Sequence, residues 1–103
     1  MTKEELYKGL KEALGLPTAY HHFDNPPTIP FVAYIDLAKE RYVADNKVYY
    51  DEPTYRVELY YETNINGLDD KLEQFFDDND IVWADDDTVY IKDEELYMKV
   101  YYI

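Results

Sequence analysis

The chain has 103 residues, enough for one domain around one core, and it is 47% hydrophobic and 17% aromatic, with thirteen tyrosines. Its formal net charge of −13 argues against partners that are held through lysine and arginine contacts to phosphate, so neither nucleic acid nor an anionic membrane is an expected ligand. It has no cysteine, hence no disulfide framework and no thiolate chemistry, and no apolar run approaches the roughly 20 residues of a membrane span.

The opening Met-Thr-Lys-Glu-Glu holds no apolar signal core, so an intracellular origin is expected. Thr2 and Glu5 have the spacing of a capping box. Leu6, Leu10, Ala13 and Leu14 recur on one helical face, Gly15 suits a left-handed stop, and Pro17 prevents continuation. The first helix is expected over Lys3–Leu14. Residues 18–23 look like a short strand. Pro26, Pro27 and Pro30 make the next stretch an extended loop, and its Pro-x-x-Pro spacing is better explained by a rigid connector than by a recognition motif.

Residues 31–43 alternate as a strand, with Phe31, Ala33, Ile35 and Leu37 on one face and Val32, Tyr34 and Asp36 on the other. A turn at residues 44–47 gives a long hairpin with an irregular tip, since Pro53 cannot donate to a ladder. Residues 54–62 carry the cleanest alternation: Tyr55, Val57, Leu59 and Tyr61 against Arg56, Glu58, Tyr60 and Glu62. That is the period of a half-buried strand, and it predicts the centre of an antiparallel sheet.

A second helix follows, with Leu68, Leu72, Phe75 and Phe76 on its apolar stripe, Asn66 as its N-cap and Asn79 as its C-cap. Asp69 and Asp70 suit its first turn, whereas Asp77 and Asp78 oppose the dipole at its end, at about 0.3–1 kcal/mol each. Residues 81–84 read as a short buried strand, 85–87 as a turn and 88–92 as a strand. Leu96, Met98, Val100 and Tyr102 alternate along the last one. The fold class is α+β, a single domain over 1–103. Two helices pack on one face of a mainly antiparallel sheet, in the order α-β-β-β-α-β-β.

His21 and His22 are the only histidines, and neighbours on a strand point to opposite faces, so no shared metal is expected there. Residues 69–87 hold nine acids against Lys71 alone, a net −8. No calcium loop fits them. Counting from Asp85 places Val89, Tyr90 and Leu96 where a ligand, a glycine and a glutamate are required, and counting from Asp78 places Val82 and Trp83. A glycosidase-like carboxylate pair is uninformative in so acidic a chain. There is no glycine-rich phosphate loop, no supported Ser-His-Asp arrangement and no basic patch. No catalytic residue, no cofactor and no metal ligand is assigned.

The chain resembles a family of small proteins encoded in the head–tail joining region of tailed phages and prophages of Gram-positive bacteria, the tail completion or tail terminator proteins. The likeness rests on Glu5-Leu6-Tyr7, Pro17 with Ala19-Tyr20 and Phe23, Pro30-Phe31, Ala44-Asp45-Asn46-Lys47-Val48-Tyr49, Tyr55-Arg56-Val57-Glu58-Leu59-Tyr60, the helix over residues 68–76, and Leu96-Tyr97 through Tyr101-Tyr102-Ile103. The resemblance implies a structural protein without enzyme activity or cofactor. It would assemble on itself as a ring, typically a hexamer, and contact the tail tube protein and the head connector protein. It would pass from the host cytoplasm into the virion, with no sequence-specific nucleic-acid binding. The acids at residues 77–80 and 85–87 have no counterpart in that likeness.

On this reading the hairpin tip supplies assembly contacts through Asp45, Asn46, Lys47, Tyr49, Tyr50, Asp51 and Glu52. Asp77, Asp78, Asp85, Asp86 and Asp87 are candidates for an acidic ring lumen that repels passing DNA. The competing expectation is an acidic binding module, an inhibitor or DNA mimic that occupies a basic groove on a partner protein.

Overall fold

The computed structural model describes residues 2–25, 27–37, 43–44, 47–48 and 54–103. Helix α1 (Lys3–Leu14) starts at the capping box: Glu5 N–H donates to Thr2 Oγ1 at 3.2 Å and Thr2 N–H donates to Glu5 Oε1 at 3.3 Å. The Thr2 amide, as a donor to the carboxylate, holds Glu5 below its ordinary pKa. Gly15, at φ 65°, closes the helix by donating to Lys11 O, and Leu6, Leu10 and Leu14 form its buried stripe.

Seven strands and the second helix follow in the order β1 (Thr18–Tyr20), β2 (Phe31–Asp36), β3 (Val43–Ala44), β4 (Lys47–Val48), β5 (Tyr55–Tyr61), α2 (Leu68–Asp78), β6 (Ala84–Asp85), β7 (Val89–Ile91), and then an eighth strand, β8 (Leu96–Tyr102). The expected order α-β-β-β-α-β-β holds, with further short strands interleaved. The main sheet runs β1-β2-β5-β8-β6, and β7 joins the same outer side of β8. Among the described residues its only parallel pair is β1 with β2. The hairpin pairs separately, Val43 with Val48 and Ala44 with Lys47. The expected long strand over 31–43 closes at Asp36 in β2, and residues 38–42 lie outside the described residues.

Strand β5 holds the centre, between β2 and β8. Its inward phase, Val57 and Leu59, is fully buried under Leu6 and Leu10 of α1 and Leu72 and Phe76 of α2. In β8, cross-strand register puts Tyr101 opposite Val57, on that same helix-covered side. The evident apolar alternation of β8 therefore faces away from the helices: Val100 pairs with Glu58 and Met98 with Tyr60. Val100 and Ala33 are nonetheless buried on that far side.

Three expectations need correction. The N-cap of α2 is Gly67 at φ 74°, with no side-chain cap; Asn66 sits at φ 52° and its N–H donates to Asn64 Oδ1 at 2.9 Å. The strand placed over 81–84 is instead Ala84–Asp85, and it is exposed. Val82 stands 90% exposed between Ile81 and Trp83, which both pack against the core. Strand β1 stops at Tyr20, so His21 and His22 do not lie on a strand. No helix among the described residues is long and apolar enough to cross a membrane.

Helices α1 and α2 meet at Gly9. A Cβ there would lie 2.5 Å from Cε1 of Phe75, closer than side chains come without displacement. The mid-helix glycine thus trades about 1 kcal/mol of helix propensity for a close crossing.

Candidate functional site

A polar cluster forms where β8 passes beneath α2. Lys99 Nζ lies 3.7 Å from Asp85 Oδ2 and 4.0 Å from carboxylate oxygens of both Asp69 and Glu73. Beside it, the fully buried Tyr101 donates its hydroxyl to Glu73 Oε2 at 2.6 Å. Burial, reinforced by that hydrogen bond and by the charges of Glu73, Asp69 and Asp85, drives the Tyr101 pKa far above its ordinary value. Lys99 also lies 5.4 Å from the Tyr101 ring centroid. One lysine thus gathers acids from both ends of the 69–87 segment.

Carboxylate oxygens of Asp69, Asp70 and Glu73 lie within 4.8 Å of one another, close enough to share a hard cation. Lys99 already supplies positive charge to two of them, and Tyr101 occupies an oxygen of Glu73. The arrangement is that of one lysine shared among several carboxylates, with the cluster left net negative.

The acidic lumen candidates separate into engaged and free groups. Asp77 Oδ1 accepts from Trp83 Nε1 at 2.9 Å, and Asp78 Oδ1 accepts from Gln74 Nε2 at 2.7 Å. These donors answer the unfavourable position of both acids at the end of α2. Asp85 faces Lys99. Asp86 Oδ1 accepts from the Asp87 N–H at 2.8 Å, its own N–H donates to Val100 O at 3.0 Å, and both side chains are exposed. Of the proposed assembly residues, Asp45, Asn46, Tyr49, Tyr50, Asp51 and Glu52 lie outside the described residues; Lys47 is placed in β4.

On the far face, Phe31 stacks on Tyr60 with centroids 4.6 Å apart, and Phe23 meets Phe31 edge-on at 5.3 Å. These rings floor an open groove of about 660 Å³ whose rim includes His21, His22 and Glu94. Tyr60 donates to Glu58 Oε1 at 3.2 Å, and burial, then the Glu58 charge, pushes its pKa up to about 12. Arg56 Nε lies 3.1 Å from Glu58 Oε2, but its N–H is not directed at that oxygen, so the pair is a charge contact without a hydrogen bond.

The histidine geometry departs from the sequence expectation. His21 adopts φ 71°, which swings its ring toward His22 until the two Nδ1 atoms are 3.1 Å apart. The reasoning that the two rings face apart fails with the strand it assumed. Lys99, Tyr101 and Glu73 were also missed by sequence reasoning. The one available signal was a lysine and a tyrosine on the less apolar phase of β8, which cross-strand register places under the acidic helix.

No protein-family model, no curated protein and no solved structure matches the chain.

Proposed function

We propose that the chain is a phage structural protein of head–tail joining or tail termination, assembling as a ring at the end of the tail tube. The observation that carries this reading is where the most distinctive stretches of the family likeness fall. Tyr55-Arg56-Val57-Glu58-Leu59-Tyr60 is the central strand of the sheet, and Ala44 and Lys47 pair at the hairpin. The likeness therefore follows the frame of the fold. A sheet that is closed by helices on one side and keeps exposed tyrosines, Tyr20 and Tyr90, on its edge strands suits assembly with neighbours.

The test is genetic and visual. Deleting the gene from its phage or prophage should leave heads and tails unjoined, or tails of uncontrolled length, in electron micrographs, and supplying the protein should restore joined particles. Normal particles from the deletion would overturn the proposal.

The exposed carboxylates at Asp78, Asp80, Asp86 and Asp87 favour the second reading, an acidic module on a basic partner. That protein would stay small in solution and bind a cationic surface tightly at low salt, with affinity falling steeply as salt rises.

A further inference from the structure

We propose that His21 and His22 together chelate a divalent transition metal ion of the class that prefers imidazole, copper(II) ahead of zinc(II). The site does not depend on the tail reading.

The backbone builds the pair. His21 N–H donates to Tyr34 O at 2.7 Å, and His22 N–H donates to Tyr20 O at 2.9 Å. The second bond closes a three-residue turn with His21 at its centre, at φ 71°. A turn of this size with a positive central φ is the rare, strained kind, which a residue bearing a Cβ keeps only when its surroundings hold it there. Its consequence lies in the side chains. Along a strand the two rings would project to opposite faces. Across this turn they meet at 86° between ring planes, with the two Nδ1 atoms 3.1 Å apart.

That separation suits one shared ion. Two imidazole nitrogens, each about 2.0–2.1 Å from a metal, lie about 2.9 Å apart at a right angle and about 3.4 Å apart at the tetrahedral angle. The 3.1 Å of the histidine pair falls inside this span. Two facing lone pairs would repel, so one proton lies between the nitrogens until a metal ion displaces it. His22 turns its other nitrogen, Nε2, toward Asp24 Oδ1 at 3.6 Å. A carboxylate behind the far nitrogen is the usual orienting partner of a ligating imidazole: it favours the tautomer that leaves Nδ1 free and makes that nitrogen more basic.

Access and charge agree with the geometry. Both histidines are exposed, so an ion reaches them from solvent, and water fills the positions that two rings leave open. The groove beside them carries Asp24 and Glu94 and, among the described residues, no lysine or arginine, so no fixed cation opposes the ion. A chain of formal charge −13 draws cations toward it. With imidazole as the ligand and no cysteine in the chain, copper(II) binds ahead of zinc(II). Asp69, Asp70 and Glu73 offer only carboxylate oxygens, which suit calcium and magnesium instead, so the choice of metal separates the two clusters.

The test is titration of the full chain with copper(II) and zinc(II). Copper should bind one ion per chain, with an electron paramagnetic resonance spectrum that shows two nitrogen ligands. His21→Asn, chosen because asparagine tolerates positive φ, and His22→Gln should each weaken copper binding at least about tenfold with an unchanged far-ultraviolet spectrum. Zinc should occupy the same site more weakly and displace copper only in excess. Unchanged copper affinity in either variant would overturn the proposal, since a chelate needs both rings. A copper spectrum with one nitrogen ligand, or none, would overturn it as well. Should a variant misfold, the parent chain decides. One equivalent of zinc should shift the imidazole resonances of both histidines together, and shifts confined to one ring or to residues 69–73 would sink the site.

Discussion

The Tyr101 hydroxyl donates to Glu73 across the junction of β8 and α2, at 2.6 Å, from a side chain with no solvent exposure. That bond ties the last strand to the second helix and completes one side of the Lys99 network. A buried hydroxyl that donates to a carboxylate contributes about 1.5–3 kcal/mol. Tyr101→Phe keeps the ring packed against Phe76 and Trp83 but loses the donor. It should lower unfolding free energy by about that amount in urea melts, with an unchanged far-ultraviolet spectrum. A neutral outcome would mean that Lys99 alone satisfies Glu73.

Alkaline stability follows from Tyr60. Its folded pKa, about 12, stands above the value of 10.0 for a free tyrosine. The neutral phenol is therefore favoured by folding. Its contribution is fully present below pH 10 and is lost as pH rises through 10 toward 12. Phenolate absorbance should show late-titrating groups, Tyr101 the latest among them, and Tyr60→Phe should remove the one near 12 and flatten the decline in stability over that window. If Tyr60→Phe leaves the alkaline profile unchanged, Tyr60 does not govern it.

The glycine at the helix crossing gives a prediction of sign. In an open helix Gly9→Ala would stabilise by about 1 kcal/mol. Here the new methyl meets the Phe75 ring, so the change should destabilise by about 1–3 kcal/mol. In a Phe75→Leu background the same substitution should become neutral or stabilising. Additive effects in the double-mutant cycle would show that the two residues do not interact.

Lys99 is the cation of the acidic cluster. Lys99→Met removes it and leaves Asp69, Glu73 and Asp85 to repel one another. Thermal melts should show a loss of about 1–3 kcal/mol at low salt, shrinking as salt screens the carboxylates. Millimolar calcium should shift the melt of the variant upward and leave that of the parent chain nearly unmoved. An equal calcium shift in both would show that Lys99 does not occupy the place of a cation.

Hydrophobic periodicity, caps and breakers determined much of this fold. Thr2, Glu5 and Gly15 fix α1 by local hydrogen bonding and backbone geometry, and the alternation of Tyr55 through Tyr61 makes β5 central, because both signals act over a few consecutive residues. Asn79 closes α2 for the same local reason. What depends on the approach of distant segments was decided only in the tertiary structure. The apolar phase of β8 suggested one face, but register against Val57 put Tyr101 and Lys99 beneath α2. That same register gave the scattered acids of residues 69–87 a common cation. A single positive φ at His21 joined two rings that a continuous strand would have held apart.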